Sequence, residues 1–143
     1  MTDAQTFLSS PGRVRMDANG QVTEVTAQIY TRAGHDEVRV RFEDPEDSSD
    51  MARRGHTVIT LHTGASPSMQ VRRFGPVESL YQFIPGQTSQ GFLQVPEGRV
   101  SLQITTASVQ IESQRQQVTV TITAMVEDQA LCLEVGIVWA DQG

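Results

Sequence analysis

The chain has 143 residues, of which 38% are hydrophobic and 20% charged, enough for one domain with a single core and outside the composition of disordered chains. Its formal net charge of −6 sets it against a general nucleic-acid binder, which needs a basic face. All 11 basic residues are arginine, so Schiff-base, P-loop and general-base lysine chemistry are excluded.

The opening "MTDAQTFLSSPG" has neither a basic segment nor a continuous apolar run, so it does not read as a secretion signal. We take residues 1–12 as a short tail and 13–143 as one domain. "GRVRMD" and "QVTEVTAQIYT" read as two strands joined by the hairpin signal Asn19-Gly20. "AGHD" is the next turn, and Val38, Val40 and Phe42 alternate along "EVRVRFED". "EDPEDSSDMARRG" is a polar loop with room for one helical turn at most, from Asp50 to Arg54. "HTVITLHT" and "SMQVRRF" pair around "GASP".

From Val71 to Gly98 a chain poor in aromatics sets Phe74, Tyr81, Phe83 and Phe92 among Gly75, Gly86, Gly91 and Gly98. Glycines so placed predict tight turns or close strand approaches. "RVSLQITTASVQIE" alternates twice: Val100, Leu102 and Ile104 are even, Val109 and Ile111 odd. The slip near Thr105 to Ala107 predicts a β-bulge in a long bent strand. Val118, Val120, Ile122, Ala124 and Val126 hold one phase, and so do Leu131, Leu133, Val135, Ile137 and Trp139, with Glu127 to Gln129 as the turn between. No run is long and apolar enough for a membrane helix. Eight to ten short strands at regular spacing, almost without helix, predict an all-β antiparallel barrel or sandwich.

Candidate chemistry is sparse. Arg73 shares phase with Met69 and Val71 and is expected to point inward, with Arg72 facing solvent. A buried guanidinium needs a carboxylate, carbonyls or an anionic ligand. The competing reading is a structural arginine at a strand end. Tyr81, Phe83 and Phe92 either line a pocket or fill the core, and a buried Tyr81 hydroxyl would need a partner. His56 and His62 share a strand but stand too far apart for one metal, and His35 sits in a turn; no zinc spacing appears. Asp44, Glu46, Asp47 and Asp50 lack the spacing of a calcium loop. Cys132 is the single cysteine, opposite in phase to Leu131 and Leu133. It allows no intrachain disulfide, has no histidine in the final strands, and fits a reducing, cytoplasmic compartment. No nucleophile-elbow, P-loop or dinucleotide glycine pattern is present. No metal or cofactor is expected, and no enzyme is indicated.

The order of short motifs resembles the YwiB-like family, small bacterial β-barrels of unknown function grouped with the calycin or lipocalin-like folds. The residues that carry it are Arg73-Phe74-Gly75, Phe83 with Gly86, Gly91-Phe92, Pro96-Glu97-Gly98, Thr105, and upstream Phe42-Glu43. They run in order between Val14 and Trp139. Two departures stand out: "VPEG" where that family often has Thr-Pro-Tyr-Gly, and Phe42 where it often has Tyr. The resemblance implies a closed or nearly closed calycin-like meander barrel of about eight to ten strands and no established activity. It adds Thr105 to the candidate ligand contacts Arg73, Tyr81, Phe83 and Phe92. The expectation is a small-molecule-binding barrel, its ligand anionic or amphipathic, with no nucleic-acid or membrane partner. The alternative is an interaction or structural barrel with a filled lumen; an enzyme with an unfamiliar site ranks third.

Overall fold

The computed structural model describes residues 7–32, 36–43 and 55–140. Ten strands form a closed antiparallel barrel: β1 (Phe7–Ala18), β2 (Gln21–Arg32), β3 (Glu37–Glu43), β4 (His56–His62), β5 (Ser68–Phe74), β6 (Ser79–Phe83), β7 (Thr88–Val95), β8 (Gly98–Gln114), β9 (Gln117–Val126) and β10 (Gln129–Trp139). Each strand pairs with its neighbours in sequence, and β1 closes the ring on β10. This is the closed antiparallel meander expected, and no helix occurs among the described residues. None is therefore long and apolar enough there to cross a membrane. Residues 7–12, expected to belong to the tail, are strand: Pro11 and Gly12 pair with Gln28 and Ala27 of β2. The polar loop with its acidic residues, and His35, lie outside the described residues.

Period-two patterning decides which side chains enter the barrel. Val14, Ile29, Val40, Ile59, Leu61, Ile104, Val120, Ile122 and Ile137 are fully buried in one core cluster. β-branched side chains dominate it because they fit the pleated surface without losing further rotamer freedom. Asn19 (φ 51°) and Gly20 (φ 93°) both take the left-handed conformation that a two-residue hairpin requires. The expected bulge is present: the β8–β9 register shifts between Thr106 and Ser108. It lets Ile104 and Val109 face the same interior across an odd offset.

The two ends differ. The β1–β2, β5–β6, β7–β8 and β9–β10 turns share one end. At the other, Ser10, Val38, Val109 and Val118 are all buried, and Ile111 and Trp139 pack against the core. That end is closed. Toward the end with those four turns the inward-phase residues Met16, Val25, Val71, Tyr81, Leu131 and Leu133 are only partly buried, while Phe42, Thr57 and Ser79 are buried. A ten-stranded ring is wider than the eight-stranded ring that side chains just fill, so an incompletely filled interior is geometrically natural.

Candidate functional site

Arg73 stands on the inner face beside the β5–β6 turn. Its cross-strand neighbours are Thr57 of β4 and Ser79 of β6, both buried. Thr57 in turn neighbours Phe42, and Ser79 neighbours Leu93, so Phe42, Thr57, Arg73, Ser79 and Leu93 form one row across five strands. An arginine flanked by two hydroxyls in an apolar row is a polar rim above an apolar wall. Arg73 and Thr57 each make a further polar, ionic or ring contact. A charge so placed has to be compensated, and this one is engaged already.

One step deeper lies Tyr81, opposite Val71 of β5. Its ring stacks on Phe83 at 6.4 Å between centroids and 13° between planes. Burial pushes the Tyr81 hydroxyl above its ordinary pKa of 10.0, because the apolar wall disfavours the phenolate. That hydroxyl hydrogen-bonds to none of the described residues and stays a neutral donor. Phe83, at 1% exposure, is plain core.

Phe92 and Thr105 do not belong to this site. Phe92 is out of phase with the buried Gly91 and pairs with the outward Leu80 and Ser101. Thr105 is exposed, and its hydroxyl meets that of Thr88 at 2.9 Å on the outer surface. The aromatic–glycine motifs therefore divide: Phe83 points in, Phe74 and Phe92 point out.

Outside, those two rings join a stack that sequence reasoning missed. The His56 ring lies on Phe74 at 5.0 Å; Arg72 sits 5.0 Å from the centroids of both Phe74 and Phe92; Arg99 lies 4.1 Å over Phe92. Glu78 closes the row, 3.8 Å from Arg72 and 3.0 Å from Arg99. Arg72 is thus not the solvated arginine expected of an outward position. Its side chain is 28% exposed and its Nε is buried without a partner. The signal was available: Arg72 and Phe74 share a phase on β5, as His56 does on the paired strand.

Two places interrupt the barrel wall. β2 and β3 pair from Thr31–Val38 to Gln28–Arg41 and then part. A cleft of about 380 Å³ opens there, lined by Gly12, Ala27 and Phe42 from the inner face and by Thr26, Arg41 and Glu43 from the outer one. β6 and β7 pair only at Ser79–Leu93 and Leu80–Phe92. Beyond those pairs side chains replace the ladder: Ser89 Oγ donates to the Gln82 carbonyl at 2.7 Å, and Gln82 Nε2 to the Gln90 carbonyl at 3.2 Å.

A family profile described as "Domain of unknown function (DUF1934)" matches residues 10–129. The chain belongs to this family. The DUF1934 barrel is also similar to a solved structure, that of the ywiB protein from Bacillus subtilis, at 16% identity and a TM-score of 0.73, covering 94% of this chain and 96% of that one. At that identity the likeness speaks for the fold, which is the one the short motifs implied. No curated protein matches the chain. Among the described residues no His, Cys, Asp and Glu side chains converge as metal ligands; His56 and His62 stand at opposite ends of β4. Cys132 is exposed, and its backbone N–H donates to the Asn19 side chain at 2.7 Å. It helps seat the first hairpin turn on β10.

Proposed function

We propose that this DUF1934 chain is a non-catalytic binding protein for a small amphipathic molecule with an anionic group. The apolar body enters the open end of the barrel against Met16, Val25, Val71, Tyr81 and Leu133. The anionic group meets Arg73 at the rim, with Thr57 and Ser79 beside it. The observation that supports this reading is the inward Arg73, set between the buried hydroxyl residues Thr57 and Ser79 toward the end where Met16, Val25, Val71, Tyr81, Leu131 and Leu133 are only partly buried. A pocket with an apolar wall and a few polar groups at one edge is the usual form of such sites. The formal charge of −6 argues against a nucleic-acid partner, and the lone Cys132 fits a cytoplasmic setting.

Native purification followed by extraction and mass spectrometry should return a reproducible small carboxylate or phosphate. Arg73→Met keeps length and packing while removing charge. It should cost the ligand-free protein about 1 kcal/mol, the worth of an ordinary hydrogen bond. It should also abolish the rise in melting temperature that octanoate gives the wild type. A loss of about 3–5 kcal/mol would instead mean that Arg73 neutralises a buried carboxylate, and the reading would lose its anion site.

The stacked rings and guanidinia on the outer face favour a second reading, an interaction barrel that binds a partner there. A physiological partner whose binding survives Arg73→Met and fails with Phe92→Ala would select it.

A further inference from the structure

We infer that the lumen holds a second polar recognition point, the Thr106 hydroxyl, which selects ligands bearing a hydroxyl or carbonyl oxygen on an otherwise apolar body. This rests on the reading of the barrel as a small-molecule binder. Thr106 is 1% exposed. It alternates with exposed Thr105 and Ala107 and shares its phase with buried Leu102 and Ile104, so its side chain points into the barrel. Its Oγ1 is buried with no hydrogen-bond partner among the described residues.

The local fold does not need that hydroxyl. The Thr106 amide donates to the Gln87 carbonyl at 3.1 Å, and the Thr106 carbonyl accepts from the Gly86 amide at 2.8 Å. Both backbone groups at the bulge are satisfied without the side chain. Valine has nearly the same shape and would fill this apolar wall without leaving an oxygen unpaired, which is a costly condition for a buried hydroxyl. Across the β8–β9 ladder Thr106 faces Ala124, which brings only a methyl group. On β6, two strands away, Tyr81 supplies another hydroxyl with no partner among the described residues. A ligand with one oxygen on its apolar part reaches the Thr106 hydroxyl, which donates to a carbonyl or exchanges hydrogen bonds with a hydroxyl.

The test compares wild type, Thr106→Val and Thr106→Ser by thermal melting without ligand and by calorimetry with octanoate and its keto and hydroxy derivatives. Ligand-free Thr106→Val should melt about 3 °C higher, because an orphaned polar group has gone. Wild type should bind an oxygenated derivative about tenfold tighter than octanoate, a difference of one good hydrogen bond. Thr106→Val should lose that preference while keeping octanoate binding, and Thr106→Ser should keep both. If ligand-free Thr106→Val melts lower than wild type, or if the preference survives in it, the inference is overturned. Octanoate binding without any preference in wild type overturns this inference alone. If no member of the series binds, the amphipath-binding reading falls and takes this one with it.

Discussion

The two halves of the barrel wall are built differently. On one side β8, β9, β10, β1 and β2 are long strands with long ladders: Phe7 to Ala18 pairs throughout with Gln21 to Arg32, and Ile104 to Gln114 pairs with Gln117 to Val126 apart from the bulge. On the other side β3 to β7 are short, and β6 and β7 meet in only two residue pairs. What the short half lacks in backbone pairing it replaces with side chains, through the Gln82 and Ser89 bridges inside the wall and the ring–guanidinium stack outside it. It also carries Arg73 and Tyr81. The long half is a scaffold whose stability is spread over many equivalent pairs. The short half concentrates its stability in a few contacts, which leaves wall positions available for polar groups.

Two glycines test how tightly the short ladder between β6 and β7 is held. A Cβ on Gly91 of β7 would collide with the backbone carbonyl of Leu80 and come within 3.1 Å of Ile104 Cδ1. One of only two residue pairs joining β6 to β7, Leu80–Phe92, lies beside it, so neither strand can move away cheaply. Gly91→Ala should destabilise by about 3 kcal/mol in urea unfolding, as overpacking against backbone does. Gly136 of β10 has nothing within 4 Å of its added Cβ and no positive φ. There Gly136→Ala should stabilise by about 0.5 kcal/mol by restricting the unfolded chain. Equal effects at the two positions would mean that β7 is not held against β6 at Gly91.

Charged side chains sharpen the contrast between the halves. Phe92→Ala removes a half-buried ring and the platform under both Arg72 and Arg99, and about 2 kcal/mol should be lost. Arg13 and Glu24, on the outer face of the long half, approach to 2.8 Å but are 69% and 48% exposed. Arg13→Ala should change stability by less than about 0.5 kcal/mol, the usual worth of a solvated pair. Urea curves of the two variants in low and moderate salt decide the matter. If Phe92→Ala costs no more than Arg13→Ala, the outer stack is an ornament of the surface and the short half must be held by something else.

The division also explains what could be read before the fold was known. Strict alternation in β8, β9 and β10 reports burial on one face, so Ile104, Val120 and Ile137 were legible as core, and the phase slip at Thr105 to Ala107 was legible as a bulge. Arg73 was legible as inward for the same reason. Phe92 was not. In "GQTSQGFLQV" the buried position of the alternation is Gly91, which has no side chain to mark it, and Phe92, expected to line a pocket or fill the core, faces out. Thr105 entered through the family motif and not through its phase; the even phase of Leu102 and Ile104 points to Thr106, which carries the orphaned hydroxyl. The Arg72 stack escaped because it joins residues on β4, β5, β7 and β8, and neither composition nor period reports which outward side chains meet across strands.

The smallest expected effect concerns Tyr81 and the pH range above 10. Its hydroxyl is disfavoured as a phenolate because burial in the short half's wall removes water from it. The folded protein therefore holds the proton more tightly than the unfolded chain does. The resulting stabilisation is undiminished below the unfolded value of 10.0 and is lost as pH rises from there through the raised folded value. Wild-type melting temperature should accordingly fall more steeply above pH 10 than that of Tyr81→Phe, which has no proton to lose there. Below pH 9 the two melting curves should run parallel, since a neutral hydroxyl and a hydrogen differ little where no partner is lost. Ultraviolet titration of the folded wild type should show one phenol ionising late, absent from the variant. Should that phenol titrate at the ordinary value and the two melting profiles stay parallel through pH 11, Tyr81 would be wet in solution. The open end of the barrel would then be a solvated mouth rather than an apolar wall.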